Sequence, residues 1–352
     1  MGLLDDTIRE ILPVNRSLEL QVRSRLDSLT KPKGSLGDLE DVAVRYCLAR
    51  GTLLPDLGRK IIFTFAGDHG VVAEGVSAYP GEVTRQMVKN MLAGGAAVNV
   101  LARHAGAEVC VVDIGVAGFL EDAEGLIVRK IRPGTANMAE GPAMTEEEAR
   151  QAVEVGINLA RDAANQGATL IGTGEMGIGN TSSSSALLAA LLPCGISEVT
   201  DRGTGIDGKT LAHKIAVIER SLEVNRVLFT DPLHTLAAVG GLEIAGICGL
   251  ILGAASKKIP IVVDGFISSA GALVACRLCL HAAEYLFFSH LSAEGGHKIF
   301  FEHFHEKPLL NLGMRLGEGT GAALAMLVIE AAMKVYGEMA TFASAGVSHK
   351  GG

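Results

Sequence analysis

Three stretches of this sequence bring together residue types that could do chemistry. Gly172, Gly174 and Gly177 spell GxGxxG behind the apolar run ATLI and ahead of a helix opened by Asn180 or Thr181, the setting of a dinucleotide fingerprint. A dehydrogenase would carry an acid at the end of the following strand, whereas the next 20 residues here read as a helix and LPCGISEVTDRG. Glycine amides at a helix start cradle an anion whatever the rest of the ligand is. One phosphate over 175–181 is therefore the expected guest, against a bare strand-to-helix turn. Downstream, Arg202, Lys209 and Lys214 stand among glycines in DRGTGIDGKTLAHK, a second source of positive charge or a solvated loop.

The second stretch is Arg315-Leu316-Gly317-Glu318-Gly319-Thr320-Gly321. A carboxylate between glycines is open to a ligand, as a general base must be; ahead of the helical AALAMLVIEAAMKVYG it would equally complement a helix dipole. The third, Asp68-His69, pairs an acid with an imidazole, and its flanking glycines fit a hydrogen-bonded turn as well as acid/base or metal chemistry. His290, His297, His303 and His305 fall within 16 residues, but their spacing matches no compact ligand set. They are expected to be solvated loop histidines, with Ser292 and Gly295 or Gly296 as loop contacts to a substrate. Cys276-x-x-Cys279, with no second pair beside it in the helical ALVACRLCLHAAEY, reads as core filling.

These groups need elements to position them. Short β-branched runs at 60–70, 107–118, 168–177, 259–266 and 284–291 alternate with helical patterns in GEVTRQMVKNMLAGGAAVNVLARHAG, TEEEARQAVEVGINLARDAANQG, NTSSSSALLAALLP and residues 240–256. That alternation predicts a parallel, doubly wound α/β sheet with right-handed crossovers. Each run ends in a glycine or polar knot, and the carboxyl ends of the strands carry the ligand site in such sheets. The first 55 residues and the last 35 or so read as helical, so a smaller subdomain from both chain ends is expected to close over one end of the sheet. Residues 237–256 hold one charge, Glu243, and a Gly249-x-x-x-Gly253 spacing that imitates a membrane span. Running into Lys257-Lys258 and IPIVVDGF, they read as a buried crossover helix lying close on the sheet.

Composition narrows the class. Glycine numbers 44 of 352 residues and aromatics are 4% with no Trp, while 48% of the chain is hydrophobic. Disorder and collagen are excluded, and the core must be Ala, Val, Ile and Leu packed over glycine backbone. A net charge of −8 argues against nucleic-acid and anionic-membrane partners. Six scattered cysteines read as reduced thiols, and MGLLDDTIREILP lacks a leader pattern, so a cytoplasmic protein is expected.

Seven segments, in order, closely resemble the nicotinate-nucleotide:dimethylbenzimidazole phosphoribosyltransferase family: KPKGSLGDLE (31–40), FAGDHGVVAEGVSAYPGEVTRQMV (65–88), GTGEMGIGNTSSSSAL (172–187), DRGTGIDG (201–208), DPLHTLAAVGGLEIAG (231–246), VVDGFISSAGALVA (262–275) and RLGEGTGAALAM (315–326). The resemblance runs over nearly the whole chain. It implies a cytosolic homodimer with a Rossmann-like sheet in a large domain, 56–317, and a small helical domain made of 1–55 and 318–352. It implies transfer of the 5-phosphoribosyl group of nicotinate mononucleotide to 5,6-dimethylbenzimidazole, with no metal or redox cofactor. The implied general base is Glu318. The 5′-phosphate falls on Gly177, Gly179 and Asn180, with Glu175 near the ribose hydroxyls and Lys214 as a further phosphate or ribose contact. An apolar azole pocket would draw on Tyr79, Gln86, Met87 and Leu316. The rival readings are an NAD(P)-binding oxidoreductase using the GxGxxG and a non-catalytic nucleotide sensor.

Overall fold

The computed structural model describes residues 2–120, 123–203 and 205–348. Thr204 of the 201–208 motif and residues 349–352 of the C-terminal segment lie outside the described residues. Six strands form one sheet: β1 (Arg59–Gly67), β2 (Ala107–Gly115), β3 (Leu126–Val128), β4 (Ala168–Met176), β5 (Ile261–Val263) and β6 (Leu286–Phe288). All neighbours pair in parallel, in the order β3-β2-β1-β4-β5-β6. That is the Rossmann order, and its direction reverses between β1 and β4, where such sheets bind ligands. The expected strands are present. β3, three residues against Val111–Asp113, is an addition: it lies at the edge of the sheet and is only partly buried, whereas the equally short β5 and β6 are fully buried within longer apolar runs. The helical pattern of 81–106 divides into helices Glu82–Leu92 and Ala97–Ala105, with Gly94 between them in a left-handed turn at φ +77°.

Alternation along β1 sorts the two faces of the sheet. Ile62 and Thr64, in register with Gly172 and Gly174 of β4, face the helix Thr320–Glu338 and the loop before it, while Phe65 faces the opposite side. There a Cβ on Gly246 of helix Leu242–Ser256 would come within 2.6 Å of the Phe65 ring, so the glycine lets the helix lie on the sheet. Gly249 and Gly253 of the same helix do something else. A Cβ on Gly249 would lie 1.8 Å from the Val153 carbonyl oxygen and one on Gly253 2.8 Å from the Ile157 backbone. The membrane-like spacing therefore packs this helix against helix Glu146–Asn165, in a water-excluded layer of a folded α/β domain. Among the described residues one helix, Thr320–Glu338, is long and apolar enough to cross a membrane; here it packs against β4, helix Ala97–Ala105 and helix Asp38–Arg50.

The chain ends meet along that helix. Leu29 bridges Thr341, and the Arg25 guanidinium donates from Nε to the Tyr336 carbonyl at 2.9 Å, capping the end of the helix. The N-terminal helix Leu3–Glu10 lies elsewhere, against helices Glu146–Asn165 and Leu242–Ser256, with Arg161 donating to Thr7 Oγ1 at 3.0 Å.

Candidate active site

The carboxyl ends of β1, β4, β5 and β6 open into a cavity of about 440 Å3, within the usual range for small-ligand sites. Glu318 stands in its wall on an unusual backbone: Gly317, Glu318 and Gly319 are successive left-handed residues with φ of +83°, +65° and +105°. A non-glycine residue there costs roughly 1–2 kcal/mol, and such strain persists where the surroundings impose it. Thr64 Oγ1 donates to the Glu318 carbonyl at 2.8 Å. Thr320 Oγ1 donates to the Gly317 carbonyl at 2.8 Å. The Asp264 carboxylate, at the end of β5, accepts from the amides of Gly319 at 3.1 Å and Ala322 at 2.9 Å, and so supplies the anion that the start of helix Thr320–Glu338 wants.

The first two glycines of GxGxxG belong to this arrangement. Gly172 and Gly174 lie inside β4. A Cβ on Gly174 would sit 2.3 Å from the Glu318 carbonyl oxygen, and one on Gly172 2.9 Å from Met326 Cε. They make room for the Glu318 turn and its helix, and Gly177 alone of the three stands at the turn after the strand.

That turn carries β4 into helix Asn180–Leu191. Gly179 is its cap, left-handed at φ +95° and without a side-chain cap bond. A Cβ on Gly177 would meet the Gly67 carbonyl oxygen at 2.4 Å, so the turn lies flush on the end of β1. Gly177, Ile178, Asn180 and Thr181 line the cavity, which brings a helix N-terminus to its edge; Gly179 shapes the turn from behind. The Asn180 amide donates to the Glu175 carboxylate. Lys214 is buried behind the turn and does not line the cavity: Nζ donates to Thr181 Oγ1 at 2.8 Å and to the Asp201 carbonyl at 3.2 Å. Burial brings its pKa down to about 8 against the pull of Glu294 and Asp201. Across the cavity, Val83 and Met87, one turn apart on helix Glu82–Leu92, join Tyr79 and Leu316 in an apolar wall. Gln86 projects from the same helix to solvent and is not in that wall.

A sequence profile of a family described as Phosphoribosyltransferase matches residues 11–347. The chain belongs to that family. Among relatives of this phosphoribosyltransferase, a nicotinate-nucleotide–dimethylbenzimidazole phosphoribosyltransferase of Geobacter sp. (strain M21) is 58% identical over 348 residues, covering 99% of this chain and all of the relative. One of the same name from Chlorobaculum tepidum is 57% identical over 343 residues, 97% of each chain. The crystal structure of CobT from Thermus thermophilus superposes with a TM-score of 0.91 at 48% identity, over 95% of this chain and 99% of the other.

Burial raises the pKa of the carboxyl groups in and beside the phosphoribosyltransferase cavity. Burial pushes Glu318 above the ordinary glutamate range, opposed in part by the Val98 amide, which donates to it at 3.4 Å. Burial, with the charges of Asp264 and Glu243, pushes Glu175 up to about 8 against the Asn180 hydrogen bond. Burial takes Asp264 to about 7, opposed by the amides it caps.

The remaining polar candidates resolve into structure. His69 Nε2 meets Glu243 Oε1 at 2.7 Å with both side chains buried. Burial lowers the imidazole pKa, but the Glu243 carboxylate outweighs it and holds the pKa above the usual histidine range. The pair sits directly behind the turn at 177–179, since a Cβ on Gly179 would reach His69 Cβ at 3.3 Å. The sequence singled out Asp68-His69 without its partner. The available signal was the lone charge of Glu243 in an apolar helix, which demands a buried counter-charge. The four clustered histidines divide: His303 and His305 are exposed, but His290 and His297 are buried, contrary to the solvated-loop expectation. His297 Nδ1 accepts from the Ser292 amide at 2.9 Å, so its proton is on Nε2, toward Ser269 Oγ at 2.9 Å. Burial first, then the neighbouring His290, takes its pKa down to about 3, and it serves as a neutral strut for the loop at Ser292. Cys276 and Cys279 are buried free thiols, with burial pushing Cys276 up to about 12.

Proposed function

We propose that the protein transfers the 5-phosphoribosyl group of nicotinate mononucleotide to a nitrogen of 5,6-dimethylbenzimidazole, releasing nicotinate and giving α-ribazole 5′-phosphate with inversion at C1′. The observation that carries the reading is one cavity whose wall holds Glu318 in a strained, glycine-framed turn, a helix start suited to phosphate and an apolar face. The relatives, similar from end to end, carry both substrates in their names. Nicotinate leaves a quaternary pyridinium, so it takes the bonding electron pair and needs no proton. The azole attacks C1′ with the lone pair of one nitrogen while the N–H of the other passes its proton to Glu318. A carboxylate whose pKa is raised by burial is the better proton acceptor.

Glu175 lines the cavity beside Glu318, and burial favours its neutral form, which can both donate to and accept from a hydroxyl. Glu175 is assigned to the ribose hydroxyls, and Gly177 and Asn180 to the phosphate, with Gly179 setting the turn between them. Lys214 steadies that turn through Thr181. Tyr79, Met87 and Leu316 receive the azole. A cytoplasmic homodimer without nucleic-acid or membrane partners is part of the same proposal. It draws support from the six free thiols, the net charge of −8 and large apolar side chains left exposed, Phe119 at 82% and Leu316 at 58% among them.

Incubating the protein with nicotinate mononucleotide and dimethylbenzimidazole and separating the products by chromatography tests the reading. Nicotinate and α-ribazole 5′-phosphate in equal amounts are expected. Reduction of a hydride acceptor with a nicotinamide dinucleotide would favour the oxidoreductase instead. Thermal stabilisation by the mononucleotide with no nicotinate formed would favour the sensor.

A further inference from the structure

We infer that His290 accepts a hydrogen bond from a ribose hydroxyl of the mononucleotide through its Nε2, an inference that rests on the phosphoribosyl-transfer reading above. The tautomer follows from a chain of contacts at the end of β6. Ser289 Oγ donates to the Asp264 carbonyl at 2.5 Å, and a hydroxyl has one proton to give. At the 2.9 Å contact between Ser289 Oγ and His290 Nδ1 the imidazole must therefore be the donor. That places the ring proton on Nδ1 and leaves a lone pair on Nε2, for which the described residues provide no hydrogen-bond partner. The ring is 1% exposed yet lines the cavity. It is held there by backbone: a Cβ on Gly321 would lie 2.0 Å from Nδ1, and one on Gly265 3.4 Å from Cε1. Burial also lowers the pKa of His290, so the lone pair stays free at neutral pH.

The sheet order says which substrate meets it. Tyr79, Val83 and Met87 of the azole wall lie between β1 and β2, the phosphate turn follows β4, and His290 follows β6, on the far side of β4 from β1. A phosphoribosyl group anchored at the end of β4 thus has the azole on one side and, as inversion requires, nicotinate on the other, the side of His290. At neutral pH the two ribose hydroxyls are the neutral hydrogen-bond donors of nicotinate mononucleotide, whereas its carboxylate and phosphate offer oxygens that a lone pair repels. His290 is therefore a polar determinant of the donor substrate, and the hydroxyl it recognises is lost in one of the two deoxyribose analogues.

The test compares nicotinate mononucleotide with its 2′-deoxy and 3′-deoxy analogues in steady-state turnover by the wild type, His290→Phe and His290→Gln. In the wild type, one analogue should show a KM raised on the order of tenfold, the effect of leaving a buried acceptor without its donor. His290→Phe should raise the KM for the parent by a similar factor and no longer discriminate against that analogue, with the KM for the azole unchanged. His290→Gln, which keeps a carbonyl acceptor, should recover most of the discrimination and carries the same comparison if the Phe variant fails to fold. A wild type indifferent to both analogues would overturn the inference. So would substituted enzymes that keep the full discrimination, or a loss that falls on the azole KM. Absence of turnover by the wild type would instead overturn the transfer reading itself.

Discussion

Two turns at the rim of the sheet use the same device to opposite ends. Gly177-Ile178-Gly179 and Gly317-Glu318-Gly319 each lead into a helix through a left-handed glycine cap, at φ +95° and +105°. Each lies flush on neighbouring backbone, the first on the Gly67 carbonyl and the second over Gly174. They differ in what meets the helix start. The second receives a carboxylate from inside the protein, Asp264 on the amides of Gly319 and Ala322, whereas Asn180 and Thr181 at the start of the first helix line the cavity. A helix start whose anion is built in becomes a rigid mount for a base. One left at the cavity edge is available to the phosphate of a ligand.

The comparison can be broken at each turn separately. The largest effect is expected at the mounted base: Glu318→Gln should lower kcat by about 10²- to 10⁴-fold in steady-state assays, with KM for the mononucleotide little changed. Next comes Gly174→Ala, whose Cβ would meet the Glu318 carbonyl oxygen at 2.3 Å. Displacing the base by a fraction of an ångström should cost on the order of 10- to 100-fold in kcat, again with KM spared. Gly179→Ala strikes the other turn, adding a side chain at φ +95° and 2.7 Å from Val72 Cγ2. Here the loss should fall on the mononucleotide KM, roughly tenfold for about 1–2 kcal/mol of backbone strain. If both glycine variants lost kcat and KM alike, the division of labour between the turns would be wrong.

Stability gives a separate readout. Glu175 has its pKa raised from 4.5 to about 8 in the folded protein, so the neutral carboxyl is the form the fold prefers. Its stabilising contribution is complete below the unfolded-state value and is lost as pH rises through the folded one, because the unfolded chain ionises first. Thermal melts of the ligand-free protein should therefore decline between about pH 4.5 and 8 and level off above. Glu175→Gln should flatten the decline. A melting temperature that rose over this interval would contradict the assignment.

Much of this was legible in the sequence. The apolar runs gave the five longer or better-bounded strands, and the knot after each located the rim, because parallel strands buried on both faces are continuous in sequence. What was hidden needed contacts between distant segments. GxGxxG looked like one loop, yet Gly174 makes room for the Glu318 carbonyl, more than 140 positions downstream, and Gly172 for Met326 of the helix that follows it. Asp264 read as part of a strand-end knot, and nothing local told that it caps the helix that follows Glu318. Glu243 and His69 are 174 positions apart, and only the cost of burying one charge alone hinted that each had a partner. For His290, hydrogen-bond geometry fixed a tautomer that no spacing rule could supply.

The central claim is that Glu318 takes the azole proton, and the dependence of kcat on pH tests it most directly. A base raised by burial loses its proton only above the ordinary glutamate range, so wild-type kcat should fall on the acid side through a limb lying above about 4.5. In Glu318→Gln that limb should vanish along with most of the rate. A Gln variant that retained the wild-type rate, or the same acid limb, would contradict the account.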